Sequence, residues 1–418
     1  MPKNLLFIVL DGIGDIRSEK FGNKTPLENK NLKSLNFLAK NGINGLVYVT
    51  PGIAPESNSA VLSLLGYPVE MHGGRGPLEA IGTGVNFKDG MLGLRCNFAT
   101  AEGNKLVDRR VGRNLTSEEA AQLANAINKN VRLSKGSFIF KPSVAHRAVL
   151  IIKSKQKLSA NISNTDPAYR MRGGIAEALK DYPKIVMKSQ ALEKGAELSA
   201  ELLNEFTKKS QEILENHPVN KNREKQGKLK ANVILSRDAG NEVPKLYNIS
   251  KKYNKRWAIL ADMPLEIGIG KLCGMKVMDL PLPTFTKKDY PTRVKKTLST
   301  MNKFTCLYIH IKGPDLFGHD GDFEGKKKSI EEIDKFYFGP LLNKISLKNT
   351  IVVVTGDHAT PCADKAHSAD PVPMLIAGNN IKPDNVEKFS EIDCAKGSLG
   401  TLNGLEVMPE IIGIFDKQ

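Results

Sequence analysis

Aspartate and histidine recur in this chain wherever a short apolar run stops. Asp11-Gly12 follows Leu5–Leu10, and Asp315 with His319 follows Cys306–Ile311. Asp357-His358 follows Ile351–Val354, and His367 comes nine residues later, just before Ser368-Ala-Asp-Pro. If those runs are strands of one α/β sheet, their carboxyl ends share a crevice, which is where such sheets collect ligands. Three carboxylates and three imidazoles suit Mn²⁺, Zn²⁺ or Fe²⁺ better than Mg²⁺ alone, which prefers an all-oxygen shell. Six such groups exceed one tetrahedral zinc but suffice for two ions, and a pair of ions clamps an in-line phosphoryl displacement.

Phosphoryl transfer through the protein needs a nucleophile. Pro55-Glu56-Ser57-Asn58-Ser59-Ala60 precedes the helical pattern Val61–Leu65. A phosphorylated serine at that helix start would gain from free backbone N–H groups and the helix dipole. The everyday use of such a serine is an N-cap, and spacing leaves Ser57 and Ser59 both open. His72, His146, His217 and His310 read as ordinary core or surface histidines. Gly73–Gly84 has no strand before it and is broken by Pro77, so it reads as tight turns with Arg75 a candidate anion contact, not as a dinucleotide fingerprint.

The elements that must position these groups are legible as apolar runs: Leu5–Leu10, Val149–Ile152, Val233–Leu235, Trp257–Leu260, Cys306–Ile311, Ile351–Val354 and Pro373–Ile376. Near-continuous runs of this kind read as buried parallel strands. Helical patterns lie between several of them: Ser117–Ile127 with Ser117 as cap, Ala191–Leu214, and Ile330–Leu342. Alternation of the two predicts an α/β core with helices on both faces. The polar, basic stretch His217–Lys230 reads as a linker or exposed loop and a domain boundary.

The 418 residues allow two or three domains, and 61 Lys+Arg against 45 Asp+Glu give a formal charge of +16, which points to an anionic partner. Nucleic acid is disfavoured: no helix-turn-helix, RRM, KH or zinc-finger pattern occurs, and there is one tryptophan. Five cysteines without a C-x-x-C pair read as reduced thiols of a cytoplasmic protein. No apolar run is long enough for a membrane span.

The chain resembles the archaeal-type 2,3-bisphosphoglycerate-independent phosphoglycerate mutases, within the alkaline phosphatase superfamily. The segments that carry the likeness include Ile8–Gly14, Ser63–Tyr67, Gly74–Ala80, Arg95–Thr100, Asp108–Arg113, His310–Lys312, Gly318–Asp322, Thr355–Cys362 and His367–Pro373. The resemblance implies an alkaline-phosphatase-like α/β core sheet, residues 1–92 and 230–418, with a smaller α/β domain, 93–229, inserted into it. It implies two divalent ions, typically Mn²⁺, with Mg²⁺, Zn²⁺ or Co²⁺ as alternatives, and no 2,3-bisphosphoglycerate. Asp315, His319 and His367 would hold one ion; Asp11, Ser57, Asp357 and His358 would hold the other. Ser57 would carry the phosphoryl group during interconversion of 3-phosphoglycerate and 2-phosphoglycerate in glycolysis and gluconeogenesis. Arg109, Arg110, Arg113 and Arg237 are candidates for the substrate carboxylate, which the guanidinium fork matches.

The chain departs from the family pattern at Glu56 and Asn58, where Gly and Asp are expected around the serine. It departs again at Ile267, where a basic residue is expected before Gly268, and in the basic turn Pro283–Asp289, where a Gly-rich one is expected. These positions bear on the substrate pocket rather than on the metal ligands. A metal-dependent phosphatase or phosphodiesterase, or a mutase of another phosphorylated substrate, shares the same motifs.

Overall fold

Leu5 to Leu10 have no exposed surface at all. Burial on both faces is what an unbroken apolar strand requires. Asn4–Leu10 is an inner strand of an eight-stranded sheet in the computed structural model, which describes residues 3–28, 32–72, 74–172, 175–179, 181–379 and 381–417. The strand order is Lys276–Val277, Trp257–Leu260, Cys306–Ile311, Asn4–Leu10, Thr350–Gly356, Val372–Ala377, Gly42–Tyr48, Gly400–Asn403. The first five are parallel, and Val372–Ala377 is antiparallel to both its neighbours. Leu5 lies level with Cys306 and Ile351, and Leu10 with Ile311 and Gly356. That register brings the next residues of three strands, Asp11, Lys312 and Asp357, to the same edge.

This sheet belongs to a unit made of residues 1–72, 246–262 and 269–418; a second unit takes 73–245 and 263–268. The junctions expected from sequence, 92/93 and 229/230, lie inside the second unit. There the Arg75–Gly82 helix packs so closely on the Leu92–Glu102 strand that a Cβ on Gly76 would stand 2.2 Å from the Gly93 carbonyl. The Val233–Gly240 strand pairs with the same Leu92–Glu102 strand.

The sheet of the second unit is antiparallel throughout. Leu92–Glu102 pairs with Lys105–Asp108, Arg147–Lys153 and Val233–Gly240, and Ser137–Pro142 pairs with Arg147–Lys153. The runs at 149–152 and 233–235 are therefore buried strands but not parallel ones. Apolar continuity reports burial of both faces and is silent about direction.

Three local expectations are corrected. Residues 217–230 are not a loop throughout: Pro218–Lys225 is a helix, with His217 accepting from the Val219 N–H as its cap, and only 226–230 are irregular. Its anchor is Arg223, fully buried, which donates to the carbonyl of Leu229 and to Glu119. A basic residue thus serves as core, which polarity alone could not reveal. Residues 75–82 of the glycine-rich stretch are helix rather than turns. The helix Ser117–Asn130 is capped by Thr116, not Ser117, through a capping box with Glu119.

The helices of the first unit are fixed to one another by buried polar caps as well as by apolar contact. Lys33–Lys40 lacks a side-chain N-cap of its own. Buried Asp334, from the irregular helical turn Asp334–Phe338, accepts instead from the N–H groups of Ser34 and Leu35 at 3.1 and 2.7 Å. Among the described residues no helix is long and apolar enough to cross a membrane. Replacing Asp334 with Ala leaves those two donors unpaired, and a loss of about 1–3 kcal/mol is expected. A urea midpoint unchanged from the parent chain would contradict the capping role.

Candidate metal centre

Asp11 and Asp357 leave neighbouring parallel strands side by side, and the loop between them is pinned: the Gly12 N–H donates to Asp357 Oδ1 at 3.0 Å. Gly12 has φ +61, and a Cβ there would meet Asp315 Cβ and Thr360 Oγ1 at 2.7 Å. Only glycine fits both the left-handed backbone and the space. Asp315 and His319 stand one turn apart on the Pro314–Asp320 helix, whose Asp315 N–H donates to the Asp11 carbonyl. Gly318, between them, lets that helix approach Thr360, whose carbonyl would lie 2.4 Å from a Cβ.

Two groups of ligating atoms result, each drawn together within 4.8 Å: Asp315, His358 and His367, and Asp11, Asp357 and His358. His358 is common to both. His367 Nε2 lies 3.3 Å and His319 Nε2 3.5 Å from Asp315 Oδ1. His358 Nε2 lies 3.6 Å from Asp11 Oδ1 and 3.5 Å from Asp357 Oδ2. The rings of His358 and His367 stack at 3.7 Å, and His319 and His367 are 4.9 Å apart. Six of the seven residues expected as ligands therefore converge. Ser57 is the first residue of the Ser57–Leu64 helix, partly buried. Its tie to the cluster runs through the backbone of Pro55, whose carbonyl accepts from His367 Nδ1 at 2.8 Å. Ser59 and Ser63 are turned elsewhere, donating to the carbonyls of Glu56 and Val49.

The donor chemistry fits divalent cations. His319 Nδ1 lies 3.2 Å from the Lys365 carbonyl and His367 Nδ1 2.8 Å from that of Pro55. A carbonyl only accepts, so both rings carry hydrogen on Nδ1 and turn Nε2 inward. His358 Nε2 is buried without a hydrogen bond, as an atom awaiting a cation would be. Lys312, at the end of Cys306–Ile311, brings Nζ to 3.2 Å from Asp11 Oδ1.

The electrostatics follow from packing these charges together. Burial pushes the Asp11 carboxyl up to about 8 against the pull of Lys312. Burial would raise Asp357 too, but His358, His310 and Lys312 hold it well below the carboxylate range. Asp315 is held low in the same way by His319 and His367. Burial pushes His358 down to about 4. His367 goes the other way: burial disfavours its charge, but Asp315 outweighs that and holds it up at about 10. Below the cluster a second buried set braces the loops. Lys326 Nζ donates to Asp15 Oδ2 and to the carbonyls of Gly14 and Thr360, and Asp15 N–H donates to Glu391.

His310, read as an ordinary core histidine, lies 3.3 Å from Asp357 Oδ2 through Nε2. Lys312 and Thr360 were not singled out by sequence. Lys312 could have been, since it follows a strand on the same logic as Asp11. Thr360 could not, because threonine carries no comparable signal.

The candidate arginines belong to the second unit. Arg109 makes a two-point contact with buried Asp166, to which Arg237 also donates at 3.1 Å, and both guanidinium groups lie over the ring of Tyr169. Arg110 is half-buried and Arg113 exposed. Asp166 was missed by sequence, as was Arg95. Burial, with Arg237 and Arg75 nearby, pushes Arg95 down to about 9, and Glu79 pairs with both Arg75 and Arg95.

A family profile described as 2,3-bisphosphoglycerate-independent phosphoglycerate mutase matches residues 39–220. An Aeropyrum pernix protein of that name is 42% identical over 98% of this chain and 99% of its own length. One from Methanopyrus kandleri is 38% identical over 100% and 97%. Among solved structures, a Pyrococcus horikoshii protein is similar with a TM-score of 0.78 at 28% identity, covering 100% of this chain and 98% of its own. A cofactor-independent phosphoglycerate mutase from Thermoplasma acidophilum has a TM-score of 0.61 at 31% identity, with 99% of each chain covered.

Metal binding must displace the proton from His367 and any proton held by Asp11, so affinity for Mn²⁺ is expected to rise from pH 6 to pH 8. Calorimetry in buffers of different ionisation enthalpy reads the protons released; a pH-independent affinity with no release would contradict the cluster as a cation site.

Proposed function

This chain belongs to the 2,3-bisphosphoglycerate-independent phosphoglycerate mutases, and on that premise we propose that it interconverts 3-phosphoglycerate and 2-phosphoglycerate through a phosphoserine at Ser57, without a bisphosphoglycerate cofactor. The observation that supports this most is the convergence of three aspartates and three histidines at one sheet edge, tied by a backbone hydrogen bond to the loop that opens the Ser57 helix. Asp315, His319 and His367 would hold one divalent ion, and Asp11, Asp357 and His358, with Ser57, a second. Mixed oxygen and nitrogen donors favour Mn²⁺, with Zn²⁺, Co²⁺ or Mg²⁺ as substitutes. Such ions supply charge against the phosphoryl oxygens and lower the pKa of a serine hydroxyl.

In this reading Ser57 Oγ attacks phosphorus in line. Ser57 gives up its hydroxyl proton, the bond from phosphorus to the substrate oxygen breaks, that oxygen takes up a proton, and glycerate is left beside phosphoserine. Glycerate then reorients, its other hydroxyl takes the phosphoryl group, and Ser57 is restored. Backbone N–H groups at the start of Ser57–Leu64 favour the added negative charge. Arg109, Arg110, Arg113 and Arg237 are proposed to hold the carboxylate of glycerate, and Asp166 keeps two of them in a fixed orientation. The activity serves glycolysis and gluconeogenesis. A cytoplasmic setting accords with five buried, unpaired cysteines.

The test is an enolase-coupled assay on 3-phosphoglycerate with Mn²⁺ or EDTA, with free phosphate recorded in parallel. Turnover abolished by EDTA and accompanied by little phosphate is expected. Phosphate without 2-phosphoglycerate would mean a hydrolase instead. Ser57→Ala should lower kcat by at least about a thousandfold while Mn²⁺ still binds. Undiminished turnover in that variant would remove Ser57 from the mechanism.

A further inference from the structure

One fully buried hydroxyl joins the two ligand groups. Thr360 Oγ1 donates to Asp315 Oδ1 at 2.9 Å and lies 3.0 Å from His358 Nδ1. The hydrogens on this triad can be counted. An ionised carboxylate only accepts, so the single hydroxyl hydrogen of Thr360 points to Asp315. The hydroxyl is then left with lone pairs toward His358, and Nδ1 must be the donor there. That places hydrogen on Nδ1 and a lone pair on Nε2, the atom that is buried without a partner between Asp11 and Asp357.

The hydroxyl has little freedom to do otherwise. Thr360 N–H donates to the Gly14 carbonyl at 3.0 Å, and the Thr360 carbonyl accepts from buried Lys326 Nζ at 2.8 Å. The bare faces of Gly12 and Gly318 are packed against it.

Building on the metal reading above, we propose that Thr360 is a positioning residue: its hydroxyl sets the tautomer of His358 and couples the orientation of His358 to that of Asp315, so that the two cation sites are prepared together. Fully buried, it works through the two side chains it links. In the other two histidines, Nδ1–H is directed to backbone carbonyls. His358, shared by both groups, depends on a side chain instead, and so its tautomer can be removed by substitution.

The experiment titrates the metal-free chain with MnCl₂ by calorimetry in the parent, Thr360→Val, Thr360→Ala and Thr360→Ser, with far-UV circular dichroism as the check on folding. Loss of the hydroxyl is expected to weaken Mn²⁺ binding by about 10- to 100-fold, and Thr360→Ser should stay within about threefold of the parent. Nitrogen-15 shifts of His358 should show Nδ1 protonated in the parent and Thr360→Ser, and a tautomer mixture in the folded hydroxyl-free variant. A hydroxyl-free variant with parental Mn²⁺ affinity, or a Thr360→Ser variant as weak as Thr360→Ala, would overturn the proposal while leaving the metal reading intact. A parent chain that binds no Mn²⁺ would overturn the metal reading and this proposal together. Should Thr360→Val not fold, Thr360→Ala and Thr360→Ser carry the comparison.

Discussion

Three carboxylates, buried Asp11 and Asp357 and partly exposed Asp315, are drawn together beyond the ends of parallel strands, and the groups around them offset the cost of that crowding. Taking one such ion out of water costs several kcal/mol unless opposite charge and hydrogen bonds compensate. The compensation is visible on every side: His367 is held protonated against Asp315, Lys312 stands beside Asp11, and His310 lies against Asp357. Without a bound cation these residues share the task, and a divalent cation would take it over from the proton on His367.

A second set of buried polar groups lies beneath the cluster. Lys326, fully buried, neutralises Asp15 and grips the carbonyls of Gly14 and Thr360. Asp15 in turn is backed by Glu391, which burial pushes up to about 7, and Glu391 accepts from Thr25. The loops after two strands are thereby locked by charge-assisted hydrogen bonds as well as by packing, so the candidate ligands are held by groups outside the cluster. Precision of this kind requires a rigid support.

Parts of this were open to a reading of the sequence for a definite reason. Parallel strands buried on both faces leave apolar runs, and the residue after each run is placed by the pleat and the register at one edge of the sheet. Asp11, Asp357 and His358 were found that way. Asp315 and His319 were found the same way, after the Cys306–Ile311 run; that they stand one helical turn apart was shown only by the structure. The stretch 217–230 was misread because its anchor is a buried arginine that looks, in sequence, like a surface residue. Strand direction in the second unit was misread because hydrophobicity does not encode it.

The sequence by itself determined the types of group available, their order along the chain, and the strand ends from which Asp11 and Asp357 emerge, since these depend on residue-by-residue periodicity. Only the tertiary structure decided which of them meet. The register of Asn4–Leu10 against both neighbours aligns Asp11 with Lys312 and Asp357. Carbonyls of Pro55 and Lys365, distant in sequence from the rings they hold, make Nδ1 of His367 and of His319 a donor. The role of Thr360 exists only because Gly12, Gly318 and Lys326 close around it. A threonine two residues from a histidine has no distinguishing pattern in one dimension; its bond to Asp315, 45 residues away, exists only in the folded chain.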